Sequence, residues 1–240
     1  MVEREWEERP VHYCEVESGR KLAFVEWGDP EGRPLFFFHG FPGCHLQAHF
    51  LKDKACEWGY RIIGVDRPGF GFSDYQQDRE IVDWPRDMDK LIEDLAVTDF
   101  GFLGVSGGGP YALACAHYFQ KRTRNVGVVS SLGPTRVEES RKTLGSPVRG
   151  LLYFYDYYPQ MVESVLEKLI LMSQKSPTRF FQQLQQLMSR EDRDVFDDPD
   201  VLEVLQASFR RSFHQGSKGA LRELKLFASD WKFDINEIEC

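Results

Sequence analysis

The stretch Asp99-Phe-Gly-Phe-Leu-Gly-Val-Ser106-Gly-Gly-Gly-Pro-Tyr-Ala-Leu-Ala-Cys-Ala-His117 contains an apolar run, a turn crowded with glycine and an alanine-rich run. It predicts a strand, a tight turn with Ser106 at its apex, and a helix. Residues 104–108 fit the pattern G-x-S-x-G, in which a serine lies on a strained turn and small neighbours let strand and helix approach closely. This arrangement is typical of a serine that acts as a nucleophile.

Length and composition limit the classes of protein that the sequence can encode. The chain has 240 residues, 42% of them hydrophobic, enough for one substantial core with an inserted subdomain. A formal net charge of -8 argues against a nucleic-acid partner, because phosphate binding requires a basic face. The N-terminus does not resemble a signal peptide, and no apolar run approaches the roughly 18 residues of a membrane span. We expect a cytoplasmic protein with no membrane partner.

The cysteines argue against a disulfide framework or a zinc site. Their number, five, is odd, and no two of them form a C-x-x-C pair. Free thiols are the simpler interpretation. The sequence therefore predicts no metal and no cofactor.

Short apolar runs alternate with helical patterns along the first half of the chain. Such runs are typical of strands in a parallel sheet that is covered on both faces. The predicted strands are residues 11–17, 21–27, 35–38, 61–65, 100–105 and 126–130, and the predicted helices are residues 45–58, 85–96 and 108–119. The first two strands form a hairpin. This order predicts a doubly wound, mostly parallel α/β sheet. Residues 135–215 carry only helical patterns and predict an all-helical insertion.

A second turn that could take part in catalysis follows the third predicted strand. It reads His39-Gly-Phe-Pro-Gly43, and parallel strands end at the sheet edge where α/β proteins bind ligands. This turn and Ser106 should therefore meet. The backbone N–H groups of Phe41 and Gly107 would then form an oxyanion hole. The residues predicted to support the turn are His39, Gly40 and Pro42. We expect the first of these to brace the turn by hydrogen bonding rather than to act as a base.

These residues resemble the α/β-hydrolase superfamily over essentially the whole chain. The motifs are the HG-x-P turn, the run Asp66-Arg-Pro-Gly-Phe-Gly-Phe-Ser-Asp74 after the fourth strand, and the serine turn. Three motifs in this order are far more specific than a lone G-x-S-x-G. The resemblance implies a hydrolase core at residues 1–134, a helical cap at 135–215 and a return to the core at 216–240. It also implies an esterase-like hydrolase that acts through Ser106 on a small to medium, apolar acyl substrate.

The resemblance further implies a catalytic histidine and an acid near the C-terminal end. No histidine follows His214, and in members of the superfamily the last strands and both residues come after the segment that ends this sequence. We therefore expect the last strands to be missing and the chain, as it stands, to be nearly inactive. The strand at residues 126–130 should form an open sheet edge, which a second chain or an oligomer would cover.

Other functions stay open at this point. The missing base favours a non-catalytic member of the fold that binds a ligand or a partner, whereas the intact G-x-S-x-G disfavours it. A cofactor-free, haloperoxidase-like activity is a further alternative. Dehalogenases and epoxide hydrolases with an aspartate nucleophile share the HG-x-P turn, but the serine argues against both.

An aromatic run in the predicted cap is the sequence's only indication of a substrate pocket. It spans residues 153–158 and is predicted either to wall an apolar pocket or to pack the cap against the core. The residues proposed for the pocket are Tyr153, Phe154 and Tyr157.

Overall fold

Six strands form one mixed sheet in the computed structural model, which describes residues 5–186, 193, 194 and 196–239. The strand order is β1-β2-β4-β3-β5-β6. The strands are β1 (His12–Val16), β2 (Arg20–Gly28), β3 (Arg33–Phe38), β4 (Tyr60–Val65), β5 (Phe100–Val105) and β6 (Thr123–Val129). β1 and β2 pair antiparallel, as do β2 and β4, and the remaining pairs are parallel. The predicted α/β fold class is confirmed.

Helices cover the sheet and fill the second half of the chain. The described α-helices are α1 (Glu5–Glu8), α2 (Lys52–Trp58), α3 (Trp84–Asp94), α4 (Gly109–Phe119), α5 (Glu138–Thr143), α6 (Ser146–Tyr157), α7 (Pro159–Lys175), α8 (Pro177–Gln186), α9 (Pro199–Ser212) and α10 (Lys218–Phe227). In the described part of the chain, no helix combines the length and apolarity needed to cross a membrane.

The predicted helix at residues 45–58 is two elements. A 3-10 helix runs from His45 to Leu51, and α2 begins only at Lys52. The first turn is held from outside, because both the backbone N–H and the imidazole of His45 bond to the carboxylate of Asp66 at the end of β4. This contact fixes the start of the segment independently of the helix that follows.

Alternation along the central strands places the core on both faces of the sheet. Phe36 and Phe38 pack with Phe102 against side chains of α3 and α4, whereas Phe37 points to the other face and packs near α2. Successive residues of a strand point to opposite faces, so a run of three phenylalanines fills two cores at once. The central strands are thereby fixed in register.

The segment between β6 and α10 contains only helices among its described elements, α5 to α9. Residues 187–192 and 195 lie outside the described residues. An all-helical segment agrees with the sequence-based expectation, and the division at 1–134, 135–215 and 216–240 stays a prediction.

β6 is the edge strand of the described sheet. It pairs with β5, and the side chains of Val128 and Val129 are about half exposed. An edge strand presents unpaired backbone groups to another chain. The second chain that was expected to cover this edge stays a prediction.

A buried charged cluster ties α10 to the sheet. The carboxylate of Glu223 in α10 accepts bonds from Arg67 Nε at 2.7 Å and from the guanidinium of Arg79. Tyr111 in α4 donates its hydroxyl to the same carboxylate at 2.6 Å. All four side chains are buried. Burial alone would raise the pKa of Glu223, but the guanidiniums of Arg67 and Arg79 lower it below its ordinary value.

The Glu223→Gln substitution should lower the free energy of unfolding by about 3–5 kcal/mol, because it leaves two buried guanidiniums without a counter-charge. Urea unfolding followed by circular dichroism measures the change. Glu57→Gln is the control, because it breaks an exposed ion pair with Lys54 and should leave the midpoint where it is. A Glu223→Gln variant as stable as the parent would contradict the importance of this cluster.

Candidate active site

Ser106 lies in the sharp turn between β5 and α4. Its φ is +52°, a left-handed value that residues with a side chain rarely adopt, and a single 3-10 turn leads from it into α4. Gly108 makes the turn possible, because a Cβ at this position would collide with the carbonyl oxygen of Phe38 at the end of β3. The strand, the turn and the helix predicted around Ser106 are all present.

The turn after β3 meets the serine turn. A Cβ on Gly107 would lie 2.8 Å from Phe41 Cβ, and a Cβ on Gly40 would lie 3.5 Å from Ser106 Cβ. No described residue accepts a hydrogen bond from the N–H of Phe41, which precedes Pro42 through a cis peptide bond. The structure thus brings Ser106 together with the two predicted oxyanion donors and leaves one of those donors without an internal acceptor.

His39 is fully buried beneath this turn and uses both ring nitrogens. Nδ1 donates to the carbonyl oxygen of Gly40 at 2.8 Å, and Nε2 accepts from the backbone N–H of Arg67 at 3.3 Å. Burial, together with the neighbouring guanidinium of Arg67, holds the pKa of His39 well below its ordinary value. A neutral imidazole with both nitrogens engaged is suited to bracing the turn.

Arg67 connects the same turn to the buried charged cluster. Its guanidinium donates to the carbonyl oxygen of His39 at 2.5 Å and, more weakly, to that of Gly40 at 3.5 Å, while its Nε bonds to Glu223. The turn after β3 is therefore fixed from behind by a charged side chain that is itself fixed by α10.

A cavity of about 350 Å³ adjoins the turn after β3. On the turn side its wall is formed by Phe41, Pro42 and Gln47. On the other side the helical segment contributes aliphatic and aromatic side chains, among them Leu166, Ile170, Phe180, Phe181, Phe209 and Phe213. Gln47 is the single polar side chain among the lining residues that the structure describes. Pockets that bind small molecules are commonly apolar with few polar groups.

The aromatic residues that the sequence suggested for a pocket lie elsewhere. Tyr153, Phe154 and Tyr157 are 57%, 51% and 64% exposed and do not line this cavity. Their neighbours on α6, Leu152 and Tyr155, are the buried ones. Leu152 and Tyr155 are three positions apart and share the buried face of α6, whereas each of the three exposed residues lies one or two positions from one of them and points elsewhere. The structure therefore does not support the pocket assignment for the three residues.

The ring hydrogen bonds described for histidines go to groups other than Ser106. His45 bonds to Asp66 at 2.7 Å, and His117 lies 3.3 Å from Glu237. No histidine in the described part of the chain hydrogen-bonds to the Ser106 hydroxyl.

Cys44, His45 and Asp66 form a buried group whose polar atoms lie within 4.8 Å of one another. Both carboxylate oxygens already accept bonds from N–H groups, two from His45 and one from Phe72. Burial, reinforced by the nearby charge of Asp66, raises the pKa of the Cys44 thiol, so the sulfur stays protonated. The described cysteines are free thiols. Hydrogen bonds hold the Asp66 carboxylate, His45 Nδ1 and the Cys44 thiol, whereas His45 Nε2 has no partner among the described residues.

Two residues at the site escaped the sequence analysis. Glu223 shares a helix face with Ala220, Leu224 and Phe227, and an acidic side chain among apolar ones at this spacing is a signal that could have revealed it. Gln47 offers no such signal. Its side chain accepts the N–H of Gly40 in the turn after β3, and no local sequence pattern indicates that contact.

Gly108→Ala should destabilise the protein by about 3 kcal/mol, since the methyl group would be forced against the backbone of β3. Gly150→Ala is the matched control: it lies in α6 with nothing within 4 Å of a new Cβ and should be neutral or stabilising by about 0.5–1 kcal/mol. Urea unfolding of both variants measures the difference. Equal stabilities would contradict the close approach described for the serine turn.

Known proteins are similar to this chain in sequence. The chain is 29% identical over 139 residues to a non-heme chloroperoxidase CPO-A1 of Kitasatospora aureofaciens, covering 56% of this chain and 49% of the relative. It is 27% identical to a bifunctional esterase/perhydrolase DCH of Acinetobacter calcoaceticus, with 56% and 50% covered. The chain spans about half the length of these curated relatives.

The fold is also found among solved structures. An esterase from Exiguobacterium antarcticum superposes with a TM-score of 0.63 at 18% identity, over 94% of this chain and 75% of the esterase. The family model described as alpha/beta hydrolase fold matches residues 33–228, which include both turns and the helical segment between β6 and α10. The chain is a member of the alpha/beta hydrolase fold family.

Proposed function

We propose that the protein is a serine hydrolase that acts on acyl compounds. Ser106 Oγ would attack the carbonyl carbon, and the N–H groups of Phe41 and Gly107 would bind the oxyanion that forms. Two observations together carry the proposal. The backbone of Ser106 is strained, and beside it the N–H group of Phe41 has no hydrogen-bond acceptor among the described residues. His39, Gly40 and Pro42 would hold the oxyanion turn.

The cavity supports a small to medium, apolar ester or related acyl compound as the substrate class. Phe41 belongs to the cavity wall and also touches the serine turn, so a carbonyl beside Ser106 could extend an apolar group into the cavity. No charged side chain is among the described lining residues.

We further propose that the general base is a histidine outside residues 1–240. The proposal is supported by the absence, among the described residues, of any histidine that hydrogen-bonds to Ser106. His39 in particular is buried, and both of its ring nitrogens are engaged. Without a base the serine hydroxyl is a weak nucleophile.

Added imidazole should therefore restore reactivity to the 240-residue chain. In buffer alone, ester hydrolysis should stay at the residual level that oxyanion donors and binding provide, about 10³–10⁴ over water. With imidazole, both hydrolysis and labelling by a fluorophosphonate should rise, and Ser106→Ala should abolish the rise. Ser131→Ala, a change at a serine packed against α4, should keep it.

Each other outcome is informative. Full activity without imidazole would place the base within the chain. Absence of labelling at Ser106 under both conditions would contradict the nucleophile and favour a non-catalytic binding protein of the same fold.

A second candidate is perhydrolysis at the same serine, which the names of the chloroperoxidase and esterase/perhydrolase relatives favour. Hydrogen peroxide in place of water would attack the acyl group on Ser106, releasing a peracid and regenerating the hydroxyl. With imidazole, an ester and peroxide present, peracid should form in the parent and not in Ser106→Ala. Ester hydrolysis without peracid would leave the hydrolase as the function.

A further inference from the structure

The amide of Gln47 is fixed in one orientation by the oxyanion turn. Its Oε1 accepts the backbone N–H of Gly40 at 2.7 Å. Because the NH₂ end of an amide cannot accept a hydrogen bond, the oxygen must face Gly40 and the nitrogen must point away from that N–H. Nε2 lies against Gly43, where an added Cβ would collide with it.

The Nε2 donor of Gln47 has no partner among the described residues, although Gln47 lines the cavity. The amide group as a whole lies near the nucleophile, because a Cβ on Gly40 would lie 3.4 Å from Gln47 Oε1 and 3.5 Å from Ser106 Cβ. A neutral donor thus stands at the boundary between the serine turn and an apolar cavity. In such a pocket, the small number of polar groups fixes the orientation of a bound ligand.

The rest of the cavity excludes charge. Its other described lining residues are aliphatic, aromatic or proline, and a carboxylate or ammonium placed there would lose its hydration without gaining a partner. A neutral oxygen would lose less hydration free energy and could accept a hydrogen bond from Gln47 Nε2.

We propose that Gln47 is a substrate-positioning residue and that the cavity takes an uncharged compound with an apolar alkyl or aryl group and an acceptor oxygen, which Nε2 binds. This inference rests on the proposed function only in placing the reacting carbonyl beside Ser106. Gln47 has two roles, since Oε1 holds the oxyanion turn and Nε2 selects the substrate.

Binding to the Ser106→Ala chain tests the proposal without any turnover. Three probes share one shape: benzylacetone carries a neutral acceptor, isopentylbenzene replaces the oxygen with a methyl group, and hydrocinnamate carries a carboxylate. Ligand-observed NMR titrations at pH 8 give their dissociation constants. Benzylacetone should bind about three- to tenfold more tightly than isopentylbenzene, the range of one net hydrogen bond. Hydrocinnamate should bind more weakly than both.

Two substitutions at Gln47 separate the two ends of the amide. Gln47→Glu keeps an oxygen that can accept the Gly40 N–H but removes the donor, and Gln47→Met removes both. Both variants should lose the preference for benzylacetone over isopentylbenzene. Gln160→Glu, an exposed change at the start of α7, controls for the added charge and should change nothing.

A Gln47→Glu variant that keeps the preference would show that only the contact with Gly40 matters and would overturn the proposal. The proposal would also be overturned if the Ser106→Ala chain with Gln47 intact bound hydrocinnamate as tightly as benzylacetone, or did not distinguish benzylacetone from isopentylbenzene. These comparisons of probes on the Ser106→Ala chain with Gln47 intact test the proposal even if a Gln47 variant fails to fold. Absence of fluorophosphonate labelling in the chain that retains Ser106, with imidazole present, together with an intact probe preference in Ser106→Ala, would contradict the hydrolase and leave the binding site standing.

Discussion

The bond between Arg67 and Glu223 is the constraint on which the site depends. Arg67 follows β4, Glu223 belongs to α10, and both side chains are buried. From this position the guanidinium reaches the carbonyl oxygens of His39 and Gly40, so the turn that carries Phe41 is fixed by a charge held more than 150 residues away in sequence. A buried ion pair is stable only when its remaining donors are satisfied, and here carbonyl groups of the turn after β3 satisfy them.

That constraint explains how the strained serine turn and the turn after β3 can lie against each other. The order β4-β3-β5 places the ends of β3 and β5 side by side. Gly108 then lets the serine turn lie against the end of β3. The turn after β3 is held by hydrogen bonds that involve His39 and Arg67. Ser106 and the N–H of Phe41 are positioned by rigid elements rather than by a mobile loop, which favours a preorganised site.

The helical segment contributes shape rather than charge. Ile170, Phe181 and Phe209 form a small core of their own, and Phe41 packs against its edge. The same aromatic side chain therefore belongs to the turn after β3 and to the cavity wall. The helical segment thus shapes the cavity, whereas the serine turn belongs to the sheet.

The sequence by itself determined the elements whose cause is local. Alternation of apolar strands with helices, the glycine-rich turn around Ser106 and the HG-x-P turn all express short-range rules of backbone conformation, and parallel strands must end at one edge. The fold class and the meeting of the two turns followed from these rules alone. The aromatic run at residues 153–158 obeyed no such rule, because six consecutive aromatic or polar residues cover every face of a helix. Only packing decided that Tyr153, Phe154 and Tyr157 face solvent. Gln47 and Glu223 were likewise decided by tertiary structure, since each acts through a partner that is distant in sequence or on another element, and the free energy of such contacts depends on burial that no local pattern encodes.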